Sequence, residues 1–436
     1  MIGVNNSLGQ RGQSRQSGDA QRERTLMRIL IISPTLPWPI KSGGDAAQYS
    51  TIKCLENDYE FTLLVPIWST EGAIAAEELR NNLRKVNVKA IECQRPASGR
   101  LRRMLSFGKN LLKRTFESQR NSVDIHNPFF QPSSQFLDSI QTEIRNFSPD
   151  LIQVEFADLM VLGAWLPREI PKIFIHHQLH FVYSRRYIEV GGSSNRLEFL
   201  SAWMAVQEAA YLRCYNVTVV FSGRDKAALG RLVPELSIEV SPFPIPNDVG
   251  FISALPSGPS GSFIFVGAQE HGPNRDALNW LINNIWPRIR AACPNSRLIV
   301  IGKWHAEWQS SQLGSGIEYK GFVSDLAEAI RGGIMLVPVR IGSGIRTKIL
   351  LSLAQAVPVI STSVGAEGIA GIPGEHFLVA DTEETFAAAA VSVVSNGEIW
   401  RNLASKGLSF AKSNYSPEQV GKRRGEIYRS LVVSKN

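Results

Sequence analysis

Residues 337–368 read VPVRIGSGIRTKILLSLAQAVPVISTSVGAEG, and the fold is decided there. An apolar run from Ile334 to Val339 leads into a Gly342-Ser343-Gly344 turn. A helical pattern follows over about Ile345 to Gln355, and a second apolar run spans Val357 to Ser361. The order is strand, glycine turn, helix, strand. Glycines at the start of a helix let the backbone approach a ligand, and the first-turn N–H groups then face it, which suits a phosphate. Arg346 and Lys348 fall in the first turn, where positive charge opposes the helix dipole. An anion held between them accounts for that placement; the plainer alternative is a tight turn with two solvated cations.

The same arrangement recurs near the amino terminus. RILIISPTLPWPIKSGGDAAQYSTIKCL, residues 28–55, is a buried strand to Ser33, a proline-broken loop, and a helix opened by Gly43-Gly44 at about Asp45. Phe61 to Val65, Leu151 to Phe156 and Lys172 to Ile175 are further apolar strands, and Leu197 to Arg213 is a helical pattern containing Glu208. Val217 to Phe221 is a strand ending at Ser222-Gly223-Arg224-Asp225. Such alternation predicts a parallel sheet wrapped by helices, with ligands at the carboxyl ends of its strands. No G-x-G-x-x-G follows Ser33 and no well-placed acid follows the second strand, so the dinucleotide fingerprint fails.

Lys172–Ile175 runs directly into His176-His177-Gln178-Leu179-His180. Zinc ligands, a polar active-site histidine and structural histidines are the three readings. On an extended segment His176 and His177 point to opposite sides and no Asp or Cys is near, which weighs against zinc.

Three prolines in Val240–Asp248 and the run LPSGPSG at 255–261 mark a linker. Alternation then restarts over Phe263–Val266, Asp276–Ala292, Arg297–Ile301, Ile317–Tyr319, Asp325–Arg331 and the opening stretch. A last strand at His376–Val379 and three helical patterns, Glu383–Ser395, Glu398–Lys412 and Pro417–Val432, finish the chain. The organisation read from this is a disordered tail over 1–26, with Met27 as the start of the folded part. Two Rossmann-like doubly wound α/β domains follow over 27–245 and 246–415, and a helix over 416–436 packs back on the first. The cleft between two such halves is the default site.

A chain of 436 residues with 44% hydrophobic and 20% charged residues suits two globular domains. The net charge of +8 favours anionic partners. No zinc-finger, RNP-type or basic-zipper pattern points to nucleic acid. Cys54, Cys93, Cys214 and Cys293 are scattered, the usage of a reducing compartment. No apolar run reaches the roughly 18 residues of a membrane span. Residues 99–120, GRLRRMLSFGKNLLKRTFESQR, interleave apolar and basic side chains; as a helix they would form a basic amphipathic surface, suited to anionic lipid or simply solvated.

FVGAQEHGPNRDALNWL, RLIVIGK, YKGFVSDL and RIGSGIRTKILLSLAQAVPVISTSVGAEGI, in that order from Phe265 to Ile369, resemble the carboxyl-terminal domain of the retaining family-four glycosyltransferases of the GT-B fold. The resemblance implies metal-independent transfer of a sugar, with retention, from a UDP- or GDP-linked donor to a glycan or lipid-linked acceptor. Such chemistry serves cell-surface polysaccharide or glycolipid synthesis on the cytoplasmic face of a membrane, and 100–120 is the segment expected to meet its anionic surface.

By the same resemblance the donor diphosphate falls to Gly342, Ser343, Gly344, Arg346 and Lys348, with Gly43 and Gly44 closing from the other domain. Gly267 belongs to the donor site, Gly321, Phe322 and Val323 to the base, and His177 or His176 faces the sugar. Glu367 contacts the donor or acts as a cap.

Two features depart from the family. Its two glutamates, separated by seven intervening residues, align with Ser343 and Leu351, and leucine cannot hold a ribose diol. Its arginine after the first strand of the second domain is absent, since Ala268 follows Gly267 and Arg275 lies too far on. A weakened nucleotide-sugar-binding module and a nucleotide-sugar epimerase are the alternatives this leaves.

Overall fold

The structure, a computed structural model, describes residues 26–93, 132–191, 194–246, 249–311, 316–342 and 344–433. Its first half runs β1 (Arg28–Ile32), α1 (Gly43–Leu55), β2 (Glu60–Ile67), α2 (Thr70–Asn82), β3 (Val86–Glu92), α3 (Ser134–Phe147) and β4 (Leu151–Glu155). A 3-10 turn, Ala157–Ala164, leads to β5 (Lys172–His176), α4 (His180–Gly191), α5 (Asn195–Leu212), β6 (Val217–Val220), α6 (Gly223–Leu232) and β7 (Ile238–Val240).

The second half runs β8 (Ser262–Val266), α7 (Gly272–Trp280), α8 (Trp286–Ala292), β9 (Arg297–Ile301), α9 (Ala306–Ser311), β10 (Ile317–Gly321), α10 (Leu326–Ile330) and β11 (Ile334–Val337). It closes with α11 (Thr347–Ala354), β12 (Val359–Ser361), β13 (Leu378–Val379), α12 (Glu383–Ser395), α13 (Gly397–Tyr415) and α14 (Pro417–Val433).

The strands form two parallel sheets, ordered β3-β2-β1-β4-β5-β6-β7 and β10-β9-β8-β11-β12-β13. Strands such as Arg28–Ile32 and Arg297–Ile301 are apolar almost throughout because helices cover both faces. Each order reverses beside its first strand, between β1 and β4 and between β8 and β11. A crevice opens at such a switch point outside the carboxyl ends of the strands. The Gly43-Gly44 turn leaves β1 and the Gly342–Gly344 turn leaves β11, so both glycine turns stand at these crevices.

Three local readings change. The pattern over Asp276–Ala292 is not one helix: α7 passes through a π turn at Leu281–Ile285 into α8. Pro287 has no N–H to offer the turn before it, which accounts for the break in register. β3 alternates Val-Asn-Val-Lys and lies at the sheet edge, so it lacks the continuous apolar signature of its neighbours. The helix after the Gly342 turn starts at Thr347, which leaves Arg346 as its N-cap in extended backbone.

The chain ends by crossing back. α14 packs on α1 and β4 of the first sheet. The Tyr428 hydroxyl lies 2.6 Å from Gln153 Oε1, and Arg424 bonds Ser241 through Nε (3.1 Å to Oγ) and Nη2 (3.2 Å to the carbonyl).

Candidate functional site

The Gly342–Gly344 turn is possible because of its backbone: Gly342 has φ +129° and Gly344 φ +78°, both in the region that favours glycine. Arg340, just before it, is fixed by a bidentate pair with Asp276 (3.0 and 2.5 Å) and lies 5.0 Å over the Trp280 ring. A Cβ on Gly344 would stand 3.1 Å from the His177 carbonyl oxygen, and one on Gly43 would stand 3.1 Å from Thr347 Cγ2. The two glycine turns are therefore where the two halves of the chain touch. Ser343 lies outside the described residues.

Cations gather at this contact. The Lys348 ammonium donates to the Val266 carbonyl and to Asn274 Oδ1 (3.2 Å) and lies 5.1 Å over Phe265. Burial, reinforced by neighbouring Arg346, pushes its pKa down to about 7. Burial likewise lowers Arg346 to about 10, partly offset by Glu367. His271 is driven to about 4 by burial and then by the charges of Lys348 and Arg346.

Glu367 is buried at 6% exposure and is held from the other half of the chain. Arg186 on α4 donates to both its oxygens, with Nη2–Oε1 at 2.6 Å, and also to the Gly342 carbonyl; Arg224 on α6 donates through Nε. Asp225 is a second buried carboxyl group beside them, its pKa raised by burial and its Oδ2 accepting from the Ser222 hydroxyl at 2.7 Å. Arg186, Arg224 and Arg346 thus gather around Glu367 and Asp225, with Lys348 beside Arg346, a cluster of cations suited to an anion.

The opposite wall comes from β4 and β5. Phe156 leaves β4 with φ +62°, costly for a bulky residue, and its ring stacks on His177 with centroids 3.8 Å apart. A Cβ on Gly44 would meet Phe156 Cε1 at 2.8 Å, so that turn needs its glycine. His177 Nε2 is 2.6 Å from Glu155 Oε2. His176 is sealed off, with Nε2 3.2 Å from Glu208 Oε1. Glu208 also accepts the first amides of α4, from His180 and Phe181, at 2.8 Å each.

Residues 260–396 match the family of glycosyl transferases group 1. This part of the chain is similar to a group 1 domain. A Klebsiella pneumoniae protein described as an uncharacterized 44.6 kDa protein in the cps region is 27% identical over 168 residues; the match covers 36% of this chain and 43% of that relative's length. Among solved structures, sucrose-phosphate synthase from Thermosynechococcus elongatus superposes with a TM-score of 0.67 at 14% identity, over 94% of this chain and all of that one. Anabaena HepE in complex with UDP and glucose gives 0.63 at 14% identity, over 93% of this chain and all of that one. These likenesses show the fold, the two-domain GT-B arrangement.

Within the matched residues, Gly267 sits where Asn274 leaves no room for a Cβ, at 2.6 Å, and its carbonyl accepts from Trp304 Nε1 at 2.7 Å. Gly321, with φ +67°, ends β10 and its carbonyl accepts the Gly302 amide at 2.8 Å. Beyond it Phe322 is 83% exposed, while Val323 packs partly against the core. Leu351 is half-buried and, unlike Leu350 and Leu353, joins no core cluster. Among the described residues no group of three or more His, Cys, Asp or Glu is placed to hold a metal ion, and no helix is long and apolar enough to cross a membrane. Residues 100–120 lie outside the described residues.

Sequence reasoning passed over Arg186, Arg224 and Glu155. Arg224 and Glu155 both stand at carboxyl ends of parallel strands, the signal that singled out the histidines. Arg186 lies within a helix and carries no such signal.

Proposed function

We propose that the chain transfers a sugar, with retention, from a UDP- or GDP-linked donor to a glycan or lipid-linked acceptor in cell-surface polysaccharide or glycolipid synthesis, at the inner face of a membrane approached through 100–120. The observation carrying this reading is the cluster of half-buried cations, Arg346 and Lys348, at the Gly342–Gly344 turn, which meets the His177 carbonyl of the other domain. A leaving nucleotide diphosphate gains charge as the glycosidic bond breaks, and preorganised cations and amides stabilise that charge. Arg346, Lys348 and the amides at the head of α11 fill that role without a metal ion. Closure over Gly43 and Gly344 excludes water that would otherwise hydrolyse the donor. HepE, of the same fold, is described in complex with UDP and glucose, and the Klebsiella relative lies in a cps region, which supports the donor class and the setting.

A screen of UDP- and GDP-sugars by thermal shift, then by nucleotide diphosphate release with acceptor extracts, tests the reading. Stabilisation by at least one donor is expected. No shift with any of them sinks the proposal.

A further inference from the structure

His177 does not end at Glu155; it is one end of a chain of buried polar groups that reaches the last helix of the protein. Glu155 Oε1 lies 2.5 Å from Gln153 Nε2, and Gln153 Oε1 lies 2.6 Å from the Tyr428 hydroxyl. Beside Tyr428 stands the guanidinium of Arg424, which is anchored on Ser241. Arg424, Tyr428, Gln153 and Glu155 are each at most 2% exposed, so no solvent intervenes.

The direction of this chain is fixed by donor and acceptor chemistry. A guanidinium only donates, so Arg424 can face only the lone pairs of the Tyr428 oxygen and leaves its proton free to be donated elsewhere. Burial raises the Tyr428 pKa, so the hydroxyl keeps its proton and gives it to Gln153 Oε1. With its carbonyl committed, Gln153 presents its NH2 to Glu155. The carboxylate, an acceptor only, then takes Nε2–H of His177.

The imidazole is left with Nδ1, which is buried and has no hydrogen-bond partner among the described residues. Phe156, stacked, and Phe221, edge-on at 5.2 Å, hold the ring plane. An unsatisfied buried ring nitrogen calls for a partner, and the backbone carbonyl of the same residue stands at the Gly344 turn.

We infer that Arg424, Tyr428 and Gln153 are positioning residues that set Glu155 and thereby hold His177 as its Nε2–H tautomer, so that Nδ1 accepts a hydrogen bond from a hydroxyl of the bound sugar. Only the sugar hydroxyl rests on the glycosyl-transfer reading; the tautomer follows from the network alone. The site histidine is then oriented by a helix that follows the whole second domain, some 250 residues further along the chain.

The experiment uses the full-length chain labelled with 15N-histidine. Long-range 15N–1H correlation reads the tautomer of His177, assigned by the signal lost in His177→Gln. The wild type is expected to show the Nε2–H form alone. Tyr428→Phe keeps the ring but removes the hydroxyl that orients Gln153; the amide is then free to turn its carbonyl on Glu155 and repel the carboxylate from His177, and the released ring is expected to give mixed tautomers. It should also lower kcat about tenfold, with KM for the donor changed less than about twofold. Should that variant not fold, Glu155→Gln serves, because its amide can offer His177 either a carbonyl or an NH2 and should likewise mix the tautomers. A wild-type Nδ1–H form or imidazolium, or a single Nε2–H form retained in the folded variant, overturns the inference. The expected tautomers without turnover of any donor would uphold the relay and count against glycosyl transfer.

Discussion

Lys348→Met separates what the lysine costs the fold from what it does for an anion. The fall of its pKa from 10.5 to about 7 corresponds to about 5 kcal/mol against the charged form, at about 1.4 kcal/mol per pH unit. The sign follows from the unfolded chain, where the lysine stays protonated up to its ordinary pKa. The cost is absent above about pH 10.5 and accumulates as pH falls towards about 7. Methionine removes that cost but also the bonds to the Val266 carbonyl and Asn274, worth about 1.5–3 kcal/mol for a charged donor. The ligand-free variant should therefore gain about 2 kcal/mol near neutral pH, read by urea unfolding, and the gain should shrink at higher pH.

Binding should move the other way. Losing one charged hydrogen bond should weaken UDP about 10- to 100-fold by calorimetry. Above about pH 7, where the terminal phosphate of UDP is already ionised, wild-type affinity should fall by up to about tenfold per pH unit as Lys348 loses its proton, and the variant should be flat. A Met variant that is less stable and binds UDP like the wild type would refute the placement of Lys348, and so would a flat wild-type profile.

Two further substitutions probe the same turn. Glu367→Gln leaves Arg186, only 14% exposed, without its counter-charge; a loss of about 3 kcal/mol is expected from the denaturation midpoint, with little from Arg224, which is 60% exposed. Leu351→Glu places an acid on a half-buried side chain outside the core, and UDP-sugar affinity should rise about tenfold, the scale of one charged hydrogen bond. A fall in affinity with unchanged folding would show a pocket shaped around leucine.

The parallel sheets were legible because continuous apolar runs such as RILII and RLIVI have few other fates, and because glycine pairs punctuate their carboxyl ends. The edge strand Val86–Glu92 was not, since only Val86 and Val88 among its seven residues are buried. Arg346 and Lys348 were readable from a local oddity, basic residues at the head of a helix. Arg186 was not: its partners Gly342 and Glu367 lie 156 and 181 residues away, so nothing near it in sequence marks it. The relay behind His177 escapes for the same reason, since Tyr428 and Gln153 are 275 residues apart and meet only because α14 crosses back.

These long-range contacts divide the labour among the cations. Arg186 and Arg224 are engaged by Glu367, and Arg186 also by the Gly342 carbonyl, so both lie between the two halves of the chain. An arriving diphosphate that displaced them from Glu367 would leave a buried carboxylate unpaired, which costs more than the exchange returns. On the proposed reading the anion is therefore expected at Arg346, Lys348 and the amides beside them. Because Arg186 grips the same turn that presents those amides, opening the contact and loosening the anion site are one event, and donor binding should favour the closed arrangement of the two domains.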